Sequence, residues 1–225
     1  MKNTPDKILA VVVCYNTAKS TKITLSNFPS ERDYSILVIN DGSTDATREI
    51  IREFGFKVIE HDKNKGVGAA IKTGIKYAIE NDYQIMAVLA GNNKDNPKEI
   101  FRVVEPIVKE SYDYVQGSRF VLGGRHDHLP HFRFIMVKIH ALLFSLLTLR
   151  WCTDALNGFR AYRLSIFNDK RINIWQDWLD RYEFETYVHY KVLKYGYGFK
   201  EAPVSKIYPA NWRKVKYTHI RPFVD

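Results

Sequence analysis

The hydrophobic residues of this chain fall into short unbroken runs, separated by stretches where they recur every three or four positions. Ile8 to Val13 is a continuous, largely β-branched run ending in Cys14, Tyr15 and Asn16, the pattern of a strand buried on both faces of a parallel sheet. Runs at Tyr34 to Ile39, Lys57 to Glu60, Gln84 to Leu89 and Tyr112 to Gln116 predict four more strands. Between them the spacing turns helical. It predicts one helix ending near Asn27 and others over Thr44 to Phe54, Gly66 to Ile79 and Pro97 to Val108, the last with proline in its first turn. This alternation implies right-handed crossovers and a doubly wound, mostly parallel α/β sheet, whose ligands sit beyond the C-terminal ends of the strands. After Arg119 the pattern changes to a Gly-Gly loop, a long amphipathic helix from about His131 to Leu149, a strand-like GFRAYRL segment and a helix from Asp180 to Lys194.

The stretch Val38 to Asp45, VINDGSTD, ends an apolar run abruptly in carboxylates and hydroxyls. At a strand's C-terminal end it forms a polar pocket, with Asp41 facing a ligand and Thr44 or Asp45 capping the next helix. Taken alone, the same residues also make an ordinary turn and cap. With 225 residues, 45% of them hydrophobic, the chain can bury one substantial core and reads as a single domain. The formal charge of +9 favours an anionic partner: nucleic acid, an acidic membrane or a phosphorylated small molecule. Basic residues are concentrated only from Lys206 through Arg213, Lys214, Lys216 and Arg221, and no nucleic-acid-binding motif accompanies them, which makes nucleic acid the weakest candidate. Cys14 and Cys152 lack metal-ligand or disulfide spacing and read as buried thiols in a reducing compartment. No signal-peptide pattern is visible, and the apolar run Ile139 to Leu149 falls short of the roughly 20 residues that span a bilayer, so cytoplasmic residence without a membrane crossing is expected.

Five motifs in order resemble the family 2 glycosyltransferases of the GT-A fold, in particular the polyprenyl-phosphate (dolichyl-phosphate) mannosyltransferase-like branch. VVVCYNT (Val11 to Thr17) looks like the first strand and nucleotide loop, with Thr17 where glutamate is usual, and VINDGSTD looks like the second. NKGVGAAIKTGI (Asn64 to Ile75) is similar to the Gly-rich helix start, with Val67 where lysine is common. GSRF (Gly117 to Phe120) with Gly123 and Gly124, and DALNGFRAY (Asp154 to Tyr162), complete the set. The resemblance implies a Rossmann-like GT-A domain with a nucleotide-sugar half over about 7–119, an acceptor half over about 120–209 and a basic tail over 210–225. It assigns nucleotide-sugar binding to Val13, Tyr15, Asn16, Asp41, Gly42, Asn64, Lys65, Gly66, Gly91, Asn92 and Arg119. Catalysis falls to Asp154, Arg119 and Arg160, and acceptor binding to Arg133, Arg160 and Lys206. Each motif also has a plainer reading. Gly66 and Gly68 can simply permit close packing, Arg119 and Arg160 can be salt-bridge partners, and Asp154 can be a turn residue.

The chain departs from the family at AGNNKDNP (Ala90 to Pro97), where the family usually carries Asp-x-Asp to hold Mg²⁺ or Mn²⁺ against the donor diphosphate. Asn92 and Asp95 are the remaining metal-ligand candidates, and a neutral amide binds such hard cations weakly. Lys94, Arg119 and Arg133 offer direct neutralisation of the diphosphate instead. The reaction implied is inverting transfer of a hexose from a GDP- or UDP-sugar. A phosphate acceptor, largely ionised at neutral pH, needs no general base, which ranks polyprenyl phosphate first among acceptors. A hydroxyl of a surface polysaccharide or glycolipid would need a base, with Asp154 ahead of Glu183 and Glu185. A catalytically silent sugar-nucleotide binding module is the alternative from another class. Phe132 to Trp151, edged by Arg133, Lys138 and Arg150, reads either as a core-facing helix or as one lying on an anionic membrane at the inner face of the cell membrane.

Overall fold

The computed structural model describes residues 6–208. A seven-stranded sheet runs in the order β3-β2-β1-β4-β7-β5-β8. Its strands are β1 (Ile8–Cys14), β2 (Tyr34–Asn40), β3 (Lys57–Glu60), β4 (Ile85–Ala90), β5 (Tyr114–Ser118), β7 (Arg160–Arg163) and β8 (Phe199–Pro203). All pairings are parallel except those of β7, which runs antiparallel between β4 and β5. A separate pair joins β6 (Arg125–Asp127) and β9 (Ser205–Ile207) in parallel.

Side-chain alternation sorts the core into two layers, because successive strand residues point to opposite faces. Leu9 and Val11 of β1 pack with Ala70, Ile71, Ile75 and Ala78 of α3 (Val67–Glu80) and with Phe184, Val188 and Val192 of α6 (Glu183–Lys194). Ile8, Ala10 and Val12 face the other way, onto Leu25 of α1 (Ala18–Ser26), Ile51 of α2 (Thr47–Glu53) and Ile100, Val103 and Ile107 of α4 (Ile100–Glu110). The long helix α5 (His131–Thr148) lies on the first face, its Phe144 ring against His189 of α6.

The five strands predicted from the first half are present, as is the alternation. Three helix starts move, the one predicted at Pro97 because Pro97–Glu99 forms a 3₁₀ turn ahead of α4. Helix α2 begins at Thr47 rather than Thr44, because the backbone of Ser43 and Thr44 is committed elsewhere: Ser43 N donates to Asn40 Oδ1 and Thr44 N to Asn16 Oδ1. Asp45 is the capping side chain, its Oδ1 accepting Thr47 N at 3.0 Å while its Oδ2 accepts Ala18 N at 3.2 Å, so one carboxylate serves the starts of α2 and α1. Helix α6 begins at Glu183 rather than Asp180, since Asp177–Leu179 forms a 3₁₀ turn and the Asp180 carbonyl accepts Ala69 N of α3.

Register brings the chemistry to one edge. Cys14 is level with Asn40, Val13 with Ala90, and Asn40 with Glu60. Antiparallel β7 sets Arg160 beside Val88 and Gln116, near the ends of β4 and β5. The basic stretch predicted beyond residue 208 lies outside the described residues.

Candidate functional site

At the ends of β1 and β2 the two loops are stitched together: Asn16 N donates to Ser43 Oγ at 3.1 Å and Asn16 Oδ1 accepts Thr44 N at 2.8 Å. Asn16 takes a positive φ of 48°, a conformation asparagine tolerates better than most residues. Tyr15 and Asn16 stay exposed on this rim. Asp41 does not. It is buried, and its carboxylate accepts Lys65 N, Gly66 N and Asn64 Nδ2, each at 2.9 Å, and meets His61 Nδ1 at 2.6 Å. The expectation that Asp41 faces the ligand is therefore corrected. Both its oxygens are occupied by the 61–66 loop, so Asp41 shapes the pocket wall. His61 was missed in the sequence. The β2–β3 register exposes it, since Glu60 pairs with Asn40 and sets the next residue beside Asp41.

The glycines at the start of α3 serve close packing. Gly66 has φ +104°, and a Cβ on Gly66 or Gly68 would collide with the carbonyls of Asp180 or Leu179. Gly91 is similar, with the Cys14 sulfur where its Cβ would stand. Both cysteines are buried free thiols, and burial pushes the Cys14 thiol up to about 12.

GSRF and DALNGFRAY meet in a buried ion pair. Arg119 donates Nε to Asp154 Oδ2 and Nη2 to Asp154 Oδ1, each at 2.7 Å, while its backbone N reaches Oδ2 at 3.1 Å. Burial pulls the Arg119 pKa down, but the hydrogen bonds and charge of Asp154 more than offset it and hold the guanidinium firmly protonated. Asp154 is fully buried, so the reading of it as a general base is corrected: its lone pairs are committed to the guanidinium fork. Arg160 is corrected as well. It is enclosed in the core, donating Nη1 to Tyr114 Oη at 3.1 Å and to the Glu185 carbonyl at 3.0 Å and Nη2 to the Asn157 carbonyl at 2.5 Å, so it contacts neither diphosphate nor acceptor. Glu201, which the sequence did not single out, accepts Thr153 N and Asp154 N at 2.9 Å and fixes this turn.

Beyond the end of β4, cations gather. Asp95, buried, accepts Lys206 Nζ at 2.7 Å, and the same ammonium donates to Asn157 Oδ1 at 3.0 Å. Lys94 and Arg133 each approach the Tyr208 ring, 5.5 Å from its centroid, and Arg119 Nη1 donates to Tyr208 Oη at 2.7 Å. Burial, followed by the positive charges of Lys206 and Arg133, lowers the Lys94 pKa to about 8. Asn157 Nδ2 is buried without an acceptor among the described residues.

A sequence profile described as glycosyl transferase family 2 matches residues 9–170. The chain belongs to that family. Among similar proteins, the UDP-N-acetylglucosamine--dolichyl-phosphate N-acetylglucosaminyltransferase of Methanococcus voltae is 27% identical over 90% of this chain and 87% of its own. The undecaprenyl-phosphate mannosyltransferase of Micrococcus luteus is 22% identical over 88% and 83% respectively. Glucosyl-3-phosphoglycerate synthase of Mycobacterium tuberculosis, solved with Mg²⁺ and UDP, superposes with a TM-score of 0.67 over 92% of this chain and 74% of its own, at 14% identity, which shows the shared GT-A fold.

That structure was solved in complex with both Mg²⁺ and UDP, so a cation is compatible with the fold of this family 2 glycosyltransferase. Its own donor set fits one poorly. Ala90 offers a methyl, Asn92 spends its Oδ1 on Lys94 N at 3.2 Å, and Asp95 already holds Lys206. No group of three metal-ligating side chains exists among the described residues.

Helix α5 leads away from the cation cluster. Its buried side, Val137, Ala141, Phe144, Ser145 and Thr148, packs inward, while Ile135, Ile139, Leu142, Leu143, Leu146 and Leu147 are exposed, Leu147 to 74%. By length and composition this 18-residue helix reaches the range of a membrane span, longer than the apolar run read from the sequence, yet one of its faces is packed on the transferase. The core-facing reading of the segment holds for its inner side, while its outer side is left exposed and apolar.

Proposed function

We propose that this glycosyltransferase moves a hexose from a nucleotide diphosphate sugar to a polyprenyl phosphate presented at a membrane surface. The observation that carries this is the adjacency of Arg133, in the first turn of α5, to the exposed apolar face that the same helix continues. An acceptor with an anionic head and a hydrocarbon tail is complementary to both features. Ile135, Ile139, Leu142, Leu143, Leu146 and Leu147 expose a run of aliphatic side chains along one helix, the kind of surface that marks an interaction site, and Lys138 and Arg150 at its edges suit anionic headgroups.

The donor occupies the ends of β1, β2 and β4, with Tyr15, Asn16, Gly42 and Lys65 at its nucleoside end and Gly91 to Lys94 toward the diphosphate. Asn64 and Gly66 contribute by locking the loop on Asp41. The oxygen of the acceptor phosphate attacks the anomeric carbon from the face opposite the departing nucleoside diphosphate, whose oxygen leaves with the electron pair of the broken C–O bond. Attack by a phosphate already ionised near pH 7 needs no proton acceptor. This agrees with the burial of Asp154. Catalysis rests on positioning and on stabilising the charge that develops on the leaving diphosphate.

The test is transfer of label from UDP- and GDP-hexoses to a short-chain polyprenyl phosphate, with the matching polyprenol as control. Transfer to the phosphate and not to the alcohol is expected. Transfer only to sugar hydroxyls would overturn the lipid-phosphate acceptor, and donor binding without turnover toward any acceptor would make the chain a binding module.

A further inference from the structure

The segment AGNNKDNP, where the family usually carries its Asp-x-Asp, is tied here to one of the chain's own cations. Asp95, the one carboxylate within AGNNKDNP, is not open toward a ligand. Lys206 arrives from β9, bridges antiparallel to Asp95 through the backbone, and places Nζ 2.7 Å from Oδ1. An ammonium has three donors, and Asp95 and Asn157 take two of them. Beside it, Asn157 Nδ2 is a buried donor with no acceptor among the described residues. A buried amide without a partner costs free energy unless something supplies an acceptor. Lys94, held by the same segment through the bond from Ile207 N to its carbonyl at 2.9 Å, adds a second ammonium. Donors in excess of acceptors beside two lysines describe an anion site, whereas a divalent cation placed there would meet like charge.

We propose that Lys206 and Lys94 neutralise the donor's diphosphate directly, so that this transferase binds its nucleotide diphosphate without a divalent cation. The proposal rests on the donor-binding reading above. It separates the two lysines, assigned to the donor, from Arg133, assigned to the acceptor phosphate.

Calorimetric titration of UDP and of GDP into the full chain, in excess EDTA and in excess Mn²⁺, tests it. A free diphosphate carries more negative charge than its manganese complex, so affinity in EDTA should equal or exceed that in Mn²⁺. Lys94→Gln should weaken binding about tenfold, the size of one lost charge-assisted hydrogen bond, while Arg133→Gln should change it less than about twofold. Lys206→Met risks misfolding because it strands Asp95, and the metal comparison on the unaltered protein does not depend on it. Binding that appears only with Mn²⁺ overturns the proposal and leaves the transferase reading intact. Equal weakening by Arg133→Gln overturns the division of the cations. Absence of binding in either condition overturns the donor-binding reading beneath it.

Discussion

Arg119 and Asp154 show how a residue's chemistry is decided by what encloses it. Each is an attractive catalytic candidate when read singly. Together they form a buried bidentate pair, and the free energy of a buried pair lies mostly in the damage done when one partner is removed. Asp154→Asn is expected to destabilise the fold by about 3–5 kcal/mol in urea denaturation by stranding the guanidinium. Loss of turnover in that variant would therefore be no evidence of a general base. A stability change under about 1 kcal/mol would mean that Arg119 finds other acceptors and that the carboxylate is free for chemistry. The motifs carrying these residues were legible in the sequence because glycine, arginine and carboxylate spacing is local. Their burial was not, since Ser118 meets Thr153 and Arg119 meets Asp154 only through a sheet that sets β7 between β4 and β5. The same holds for Asp41 and His61, whose meeting depends on the register of β2 with β3.

At the scale of elements, strands were easier to read than helix starts. A strand such as β1 is announced by its own composition, whereas the start of α2 is set by hydrogen bonds from Asn16 and Asn40, both outside it. Helix α5 carries the sharpest prediction. Leu143 and Leu147 are exposed on its outer side, so Leu143→Glu with Leu147→Glu should leave the melting temperature nearly unchanged, as surface substitutions usually shift stability by less than about 0.5 kcal/mol. The same double variant should abolish co-sedimentation with vesicles containing anionic lipid, while the unaltered protein pellets with them. If the unaltered protein fails to pellet, the membrane-facing role of α5 is wrong. If the variant pellets equally well, some other surface makes the contact.

For the whole molecule, the packing of α5 and α6 onto the sheet converges on His189. It is fully buried among Tyr114, Phe144 and Phe199, and Nδ1 has no partner among the described residues. Burial, then the positive charge of Arg160 and of His140, holds its pKa well below 6.5. The folded protein keeps this ring neutral where the unfolded chain protonates it, so stability is full above about pH 6.5 and falls as pH drops below it, by up to about 1.4 kcal/mol per pH unit. His126 and His140 are shifted the same way from more exposed sites and add to the trend. Denaturation midpoints at pH 7 and pH 5 should show the drop, and His189→Leu should reduce it. An unchanged pH dependence in that variant would place the acid sensitivity elsewhere. The antiparallel strand β7, which delivers Arg160 to this core, has a further consequence for how the protein is made. On the ribosome, β1 to β4 emerge first and can pair as they appear, but β4 then offers a bare edge, and β5 has no neighbour until Arg160 to Arg163 have been synthesised. The nascent chain must carry that open edge through the synthesis of its apolar helix α5, so its most adhesive interval comes before the sheet can close.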